Sequence, residues 1–418
     1  MNKKTIKEIY KTNQKEMIFT SLAQIIYILE SVLQNKIFTS FFSTDIYGKW
    51  ALILSIYTLI SMLPFTAFDQ GVNRVAAECK SNNQDRSLYN LISLVYGVGF
   101  FLYTILLGSV YLIQEENFFA SGCFIVFMFY TSSEIFKNIF ILIDNAYRNR
   151  IRVFNIRLFE LVSRCVLLFV LYRINAFTIF NVLLVLGLSN VCIIIYQQLY
   201  FHMLSKLRLD ENGKVLFNKI LKFSLPLMTW AIFGWMQNMI SRWYLDAFLD
   251  LNAVAMYSVL TSLSYFVPSA IYTIFNAYIT PIVFEKNQSF SRAKLLKYMG
   301  AVGILELFYV VFVVIFGKYI ILILTNSKYL PVVDYLPYTT ISACLYVLSM
   351  LSTIEIFRRN ETKKLLMSTI IPGLLMATVG FFLVKSFGFN GAVINYIMGQ
   401  MVYAVFTSIV VFNKKNIS

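Results

Sequence analysis

The chain is poor in the residues from which most catalytic and metal sites are built. Its 418 residues include one histidine, His202, and five cysteines, Cys79, Cys123, Cys165, Cys192 and Cys344. The cysteines lie far apart, with no CxxC pair and no neighbouring histidine cluster, so they read as small apolar fillers rather than a disulfide or metal framework. No HExxH, GxSxG or phosphate-loop GxxxxGKS/T motif occurs. Nothing therefore supports a bond-making enzyme, a resident cofactor or a nucleotide-driven machine. Charge is scarce as well, at 14% of residues, with 21 acids against 36 lysines and arginines. That scarcity excludes an ordinary soluble domain.

What the chain has in abundance is apolar surface. It is 58% hydrophobic and 17% aromatic, with a mean hydropathy of +0.68. We read an all-α polytopic membrane protein. A span needs roughly 20 mostly apolar residues, which gives about twelve spans; span two covers 46–67, span four 118–143, span five 153–172 and span seven 219–244. Spans five and six are parted only by Arg173-Ile174-Asn175, and an eleven-span reading fuses them. The basic amino-terminal stretch has no small-residue cleavage site after its apolar run, so the first span is expected to be retained.

The longest internal polar connection, HMLSKLRLDENGKVLFNK, divides the spans six and six. The expected organisation is an amino-terminal six-helix bundle (1–201), a cytoplasmic connection (202–218) and a carboxy-terminal six-helix bundle (219–418). Two such bundles are the plan of a transporter whose substrate path runs between them. Most lysines and arginines fall in one set of alternate connections, which places both termini in the cytoplasm. The same asymmetry accounts for the net charge of +15 without invoking nucleic acid.

One stretch is abruptly polar for so apolar a chain: FTAFDQGVNRVAAECKSNNQDR, residues 65–86. As a cytoplasmic connection after span two, its Lys80 and Arg86 obey the positive-inside rule. Asp69 and Gly71 are expected to shape this corner: the glycine as a hinge, the carboxylate as a helix cap or a partner for Arg74. Arg74 would then form a cationic lip at the cytoplasmic mouth.

The order of residues here carries a resemblance. Tyr47-Gly48-Lys49-Trp50, then a span, then Phe68-Asp69-Gln70-Gly71 resembles the YG-x-W and DxG pattern of Wzx-type polysaccharide flippases. These form a branch of the multidrug, oligosaccharidyl-lipid and polysaccharide exporter superfamily. Phe223-Ser224-Leu225-Pro226-Leu227, Ser241-Arg242-Trp243, Tyr257-Ser258 and Phe387-Gly388-Phe389-Asn390-Gly391-Ala392 are similar to later pieces of that pattern, so the resemblance covers the whole chain. Two positions depart from it: Ser241 replaces the aspartate that commonly precedes the seventh-span arginine, and Met256 replaces the glycine before the eighth-span tyrosine. The resemblance implies transfer of an undecaprenyl-diphosphate-linked oligosaccharide from the cytoplasmic to the periplasmic leaflet of a bacterial inner membrane. O-antigen, capsular or exopolysaccharide synthesis would use it, and a polysaccharide polymerase and a chain-length regulator are implied partners besides the bilayer.

Charged residues inside spans usually face a cavity or a partner. Glu30, Glu134, Lys137, Glu160, Arg164, Glu306 and Glu355 are the deep ones. At about 100° per residue, Glu134, Lys137, Asp144 and Arg148 form one stripe, and Arg157, Glu160 and Arg164 a second on the next span. Lys137 and Arg164 are the first candidates for the diphosphate, with Arg74 and Arg242 as further cations. Internal pairing of Glu134 with Lys137, and of Glu160 with Arg164, is the competing role; for Arg242, four residues before Asp246, it is snorkelling to the interface. The sequence leaves these open.

Driving force is open too. Membrane potential favours outward movement of a diphosphate by about 2.3 kcal/mol per charge per 100 mV. Counter-transport of H⁺ or Na⁺ through Glu30, Asp69 or Glu134 is the other route. Two functions compete with flipping: a cation-coupled multidrug exporter of the same superfamily, which would favour an acidic cavity, and a membrane-bound polymerase or ligase, which would need large external polar loops.

Overall fold

A computed structural model describes residues 3–113, 123–201, 211–284, 292–358 and 362–412. Among these residues the chain is all helix, without a strand. In order, α1 is Lys3–Phe41, α2 Thr44–Ile60, α3 Ala67–Ser81, α4 Asp85–Ile113, α5 Cys123–Ala146 and α6 Arg150–Arg173. Then come α7 (Ile179–Phe201), α8 (Glu211–Phe248), α9 (Leu251–Phe284), α10 (Arg292–Leu324), α11 (Leu336–Arg358) and α12 (Thr362–Phe412). A π-helical turn, Ser61–Thr66, joins α2 to α3, and a 3₁₀ segment, Ser327–Tyr335, joins α10 to α11.

Nine of the described helical stretches are long and apolar enough to cross a membrane. One of them, Leu366–Val411, is broken at Gly388, whose φ of +56° ends one helical leg and starts the next. Such a φ suits a residue without a side chain, and the break supplies the last two expected spans. The long helices α1 and α6 fall outside the nine; α6 carries Arg157, Glu160 and Arg164 along its length. Helices α6 and α7 are distinct, separated by a turn with Asn175 at φ 54°, so the fused eleven-span reading fails. The chain is a multi-pass membrane protein.

The connection expected at 69–86 is mostly helix. Phe68, Val72, Val75, Ala76 and Cys79 are buried at steps of three and four, the stripe of an amphipathic helix. The break in the chain lies earlier, at Leu63 (φ −119°, ψ 115°) within the π turn that contains Pro64. The Tyr103 hydroxyl donates to the Leu63 carbonyl, supplying a partner at the break.

Packing divides the chain into two compact units, one of 1–31 with 60–228 and one of 32–59 with 229–418. In the first, Ala23, Ile141, Val153, Ile156 and Ile193 tie α1, α5, α6 and α7 into one core. In the second, Leu295, Val302, Leu351 and Ile354 join α10 to α11. The 32–59 segment is bound into this second unit by polar ties: Lys36 Nζ donates to the carbonyls of Leu322 (2.8 Å) and Thr325, and Lys328 Nζ to that of Phe42. Trp243 Nε1 also donates to Ser55 Oγ at 3.0 Å. Helix α10 turns Leu307, Phe308, Val314 and Ile315 outward, a face that lipid rather than water would solvate.

Candidate functional site

Intramembrane charge gathers in the first unit. On α5, Glu134 and Lys137 are three residues apart; on α6, Arg157, Glu160 and Arg164 are spaced by three and four, so each set lines one helix face. Lys137 Nζ lies 2.6 Å from Glu134 Oε1 and also bonds Glu160. Arg164 reaches Glu30 on α1 at 2.6 Å, Glu134 at 2.7 Å and Glu160 at 2.9 Å. Arg157 meets the other oxygen of Glu160 at 2.8 Å. Asn190 on α7 completes the network, accepting from Arg164 at 2.7 Å and donating to Glu134 at 2.9 Å.

Three carboxylates thus face three cations, and the cluster is formally neutral. Lys137 is fully buried and Arg164 nearly so. Lys137 and Arg164, the two residues expected to meet a diphosphate, share Glu134 and Glu160, and every charge they carry is matched by a glutamate. The geometry is that of an ionic staple across α1, α5 and α6. The rest of the α5 stripe divides: Asp144 pairs with Arg152 at 3.4 Å, while Arg148 lies past the helix end at φ 62° and pairs with Glu16 at 3.3 Å.

Beside the staple lies a cavity of about 450 Å³. Thr66, Asp69, Gln70 and Asn73 border it from α3 and the preceding turn, Asn138 and Asn145 from α5, Tyr27 from α1 and Arg157 from α6. Only Ile141 and Leu142 contribute apolar side chains to this lining. Asp69 accepts a hydrogen bond from the buried Tyr96 hydroxyl and makes no ion pair among the described residues. Burial pushes its carboxyl up to about 7, against the opposing pull of that hydrogen bond. Of the three coupling candidates, Glu30 and Glu134 are salt-bridged to Arg164, and Asp69 is the one without a cation.

Gly71 sits inside α3 and does not turn the chain. A Cβ there would come within 2.7 Å of Ile220 Cγ2 and Ser224 Oγ on α8, so the glycine permits close helix approach. Arg74 is exposed on the polar face of α3, its guanidinium 4.8 Å from the centre of the Phe223 ring. It pairs with no acid among the described residues, so the expected partnership with Asp69 is not formed.

Arg242 belongs to the second unit, half-buried on α8. Among the described residues it makes no ion pair, with Asp246 or any other acid; its hydrogen bond goes to the sulfur of Met239. Glu306, also in this unit, is buried on α10 with neither carboxylate oxygen hydrogen-bonded among the described residues.

A search for charge alone overlooks part of the site. Asn138 and Asn190 lie inside spans, Asn145 follows Asp144 at the polar end of α5, and Gln70 and Asn73 are one turn apart on α3.

No protein-family model and no curated sequence matches the chain. Solved structures do. A multidrug resistance MATE family transporter of the MOP superfamily, in an inward-facing conformation, superposes with a TM-score of 0.70 at 16% identity, covering 91% of this chain and 92% of that one. A MOP superfamily transporter from Pyrococcus furiosus gives 0.68 at 16%, covering 94% of both chains. The lipid II flippase MurJ, in an inward closed conformation, gives 0.67 at 13%, covering 94% of this chain and 86% of its own. At these identities the likeness establishes the fold, one shared by drug exporters and a lipid flippase.

Proposed function

We propose that the chain is a lipid-linked oligosaccharide flippase. It carries undecaprenyl-diphosphate-linked repeat units from the cytoplasmic to the periplasmic leaflet of a bacterial inner membrane, by alternating access, with both termini in the cytoplasm. The observation that supports this reading best is Arg242. A half-buried arginine inside a membrane helix costs at least about 2.5–3.5 kcal/mol, and this one has no carboxylate beside it among the described residues. An anionic substrate would offset that cost, and the planar guanidinium fork suits phosphate oxygens. Arg74, exposed and also without an acid partner, is the second phosphate contact. Lys137 and Arg164 act indirectly, by holding α1, α5 and α6 in register. Export is biased by the membrane potential or by ion exchange at Asp69, and the product feeds a polymerase and its chain-length regulator.

The test is deletion of the gene in its host, followed by complementation at matched protein levels. Wild type restores surface polysaccharide, whereas Arg242→Ala leaves lipid-linked intermediates in the cytoplasmic leaflet. Full restoration by Arg242→Ala would remove the main support for the reading.

A second reading, export of cationic drugs, is favoured by Asp69, a carboxyl that borders the cavity without a cationic partner among the described residues. It requires that cells lacking the gene become sensitive to lipophilic cations with their polysaccharide unchanged.

A further inference from the structure

The cavity of the first unit is polar in an unusual way for so apolar a chain. A site for a lipophilic cation would be lined by aromatics and net negative charge, and a site for a phosphate alone by net positive charge. This cavity has one of each sign, Asp69 and Arg157, and Arg157 is already engaged by Glu160 at 2.8 Å. The remaining polar lining is chiefly amide.

Two faces supply it. Across the end of the π turn and α3, Thr66, Asp69, Gln70 and Asn73 recur at steps of three and four; on α5, Asn138 and Asn145 are two turns apart. Asn145 is committed, donating to Ile141 at 3.0 Å and accepting from Arg150 at 2.6 Å. Gln70 and Asn73 are exposed to the cavity and have no side-chain hydrogen-bond partner among the described residues. Each amide offers a donor and an acceptor side by side. That pairing matches adjacent hydroxyls on a sugar ring, each of which both donates and accepts. Tyr27 adds a half-exposed aromatic ring, with the Arg157 guanidinium 4.6 Å from its centre. The volume of about 450 Å³ falls within the range of small-molecule sites.

From this geometry we infer that the cavity is a carbohydrate subsite, in which Gln70 and Asn73 hydrogen-bond the hydroxyls of a sugar borne by the diphosphate lipid. The inference rests on the flippase reading and adds to it a place where the neutral glycan is recognised, next in the chain to the phosphate contact at Arg74 and separate in the chain from the one at Arg242. The carboxyl of Asp69, tied to Tyr96 through one oxygen, accepts from a further hydroxyl.

The experiment measures binding to the full chain in nanodiscs. The probes are undecaprenyl diphosphate, undecaprenyl-diphosphate-N-acetylglucosamine, free N-acetylglucosamine and ethidium. Wild type is expected to bind the sugar-bearing lipid at least tenfold more tightly than the bare diphosphate. Gln70→Leu/Asn73→Leu, and the milder Gln70→Ala/Asn73→Ala, abolish that ratio and leave affinity for undecaprenyl diphosphate unchanged. Arg242→Ala weakens both lipids and preserves the ratio. Free sugar binding as tightly as the lipid-linked form would overturn the assignment of its source. A wild-type ratio near one, or a ratio that survives both double variants, overturns the subsite while the flippase reading stands. Binding of ethidium with neither lipid overturns the flippase reading, and the subsite falls with it.

Discussion

Replacing Lys137 by methionine keeps the volume and unbranched shape of the side chain while removing its charge. Lys137 is fully buried and bonds both Glu134 and Glu160, so the variant leaves three carboxylates facing Arg157 and Arg164 alone. Breaking one side of a buried ion pair costs about 3–5 kcal/mol, because the abandoned charge stays desolvated. For a folding unit of this size, each kcal/mol moves the melting temperature by about 2–4 °C, which predicts a fall of roughly 6–20 °C. The charge-balanced double variant Lys137→Met/Glu134→Gln leaves Glu30 and Glu160 opposite Arg157 and Arg164, and recovers most of the loss. Both are measured by thermal unfolding of purified protein in one detergent, with transport scored in parallel. If Lys137→Met melts like wild type but fails to transport, the ionic-staple argument is refuted and the lysine meets substrate directly. A double variant no more stable than the single one would refute the charge accounting.

Gly71→Leu should destabilise the first unit by about 1–3 kcal/mol through overpacking against Ile220 and Ser224; a transport defect at unchanged melting temperature would instead restore the hinge role. Asp69 predicts a pH dependence. Its folded pKa, raised to about 7, lies above the ordinary carboxylate value of about 3.9, so the folded state holds a proton that the unfolded chain releases. That stabilisation is complete below the unfolded value and is lost as pH rises through about 7. Wild type should therefore melt higher at pH 5 than at pH 8.5, and Asp69→Asn should lessen the difference; equal slopes for the two proteins would count against a buried acid.

Most of the helical plan was legible because apolar runs of membrane length are a strong signal. Even the turn at Arg173-Ile174-Asn175 was readable, from the polar Arg173 and the turn-forming Asn175 between long apolar stretches. In the 65–86 stretch the charges mask the period: Phe68, Val72, Val75 and Cys79 mark a helix as clearly as the polar residues suggest a loop. Gly71 reads as a bend because glycine permits one, whereas the residue it must accommodate, Ile220, is far along the chain. The pairing of Lys137 and Arg164 was the hardest to foresee. Local spacing offered each one glutamate, but Glu30 joins Arg164 from 134 positions away, and such contacts leave no trace in local periodicity. The cavity was missed for a different reason: amides carry no charge, and each looks incidental until two helices set them around one space.

The two lysine ties of the second unit also set a clock on biogenesis. Lys36 finds the end of α10, and Lys328 the end of α1, across separations of 286 residues each. A ribosome working at about 5–20 residues per second needs roughly 15–60 s to make that intervening chain. Throughout that interval the terminal carbonyls of α1 and the ammonium of Lys36 are already synthesised, while the groups that will satisfy them have yet to emerge. Until α10 is made, water, lipid headgroups or the insertion machinery satisfies the polar groups of segment 32–59, and a translational pause upstream of α10 would lengthen that period.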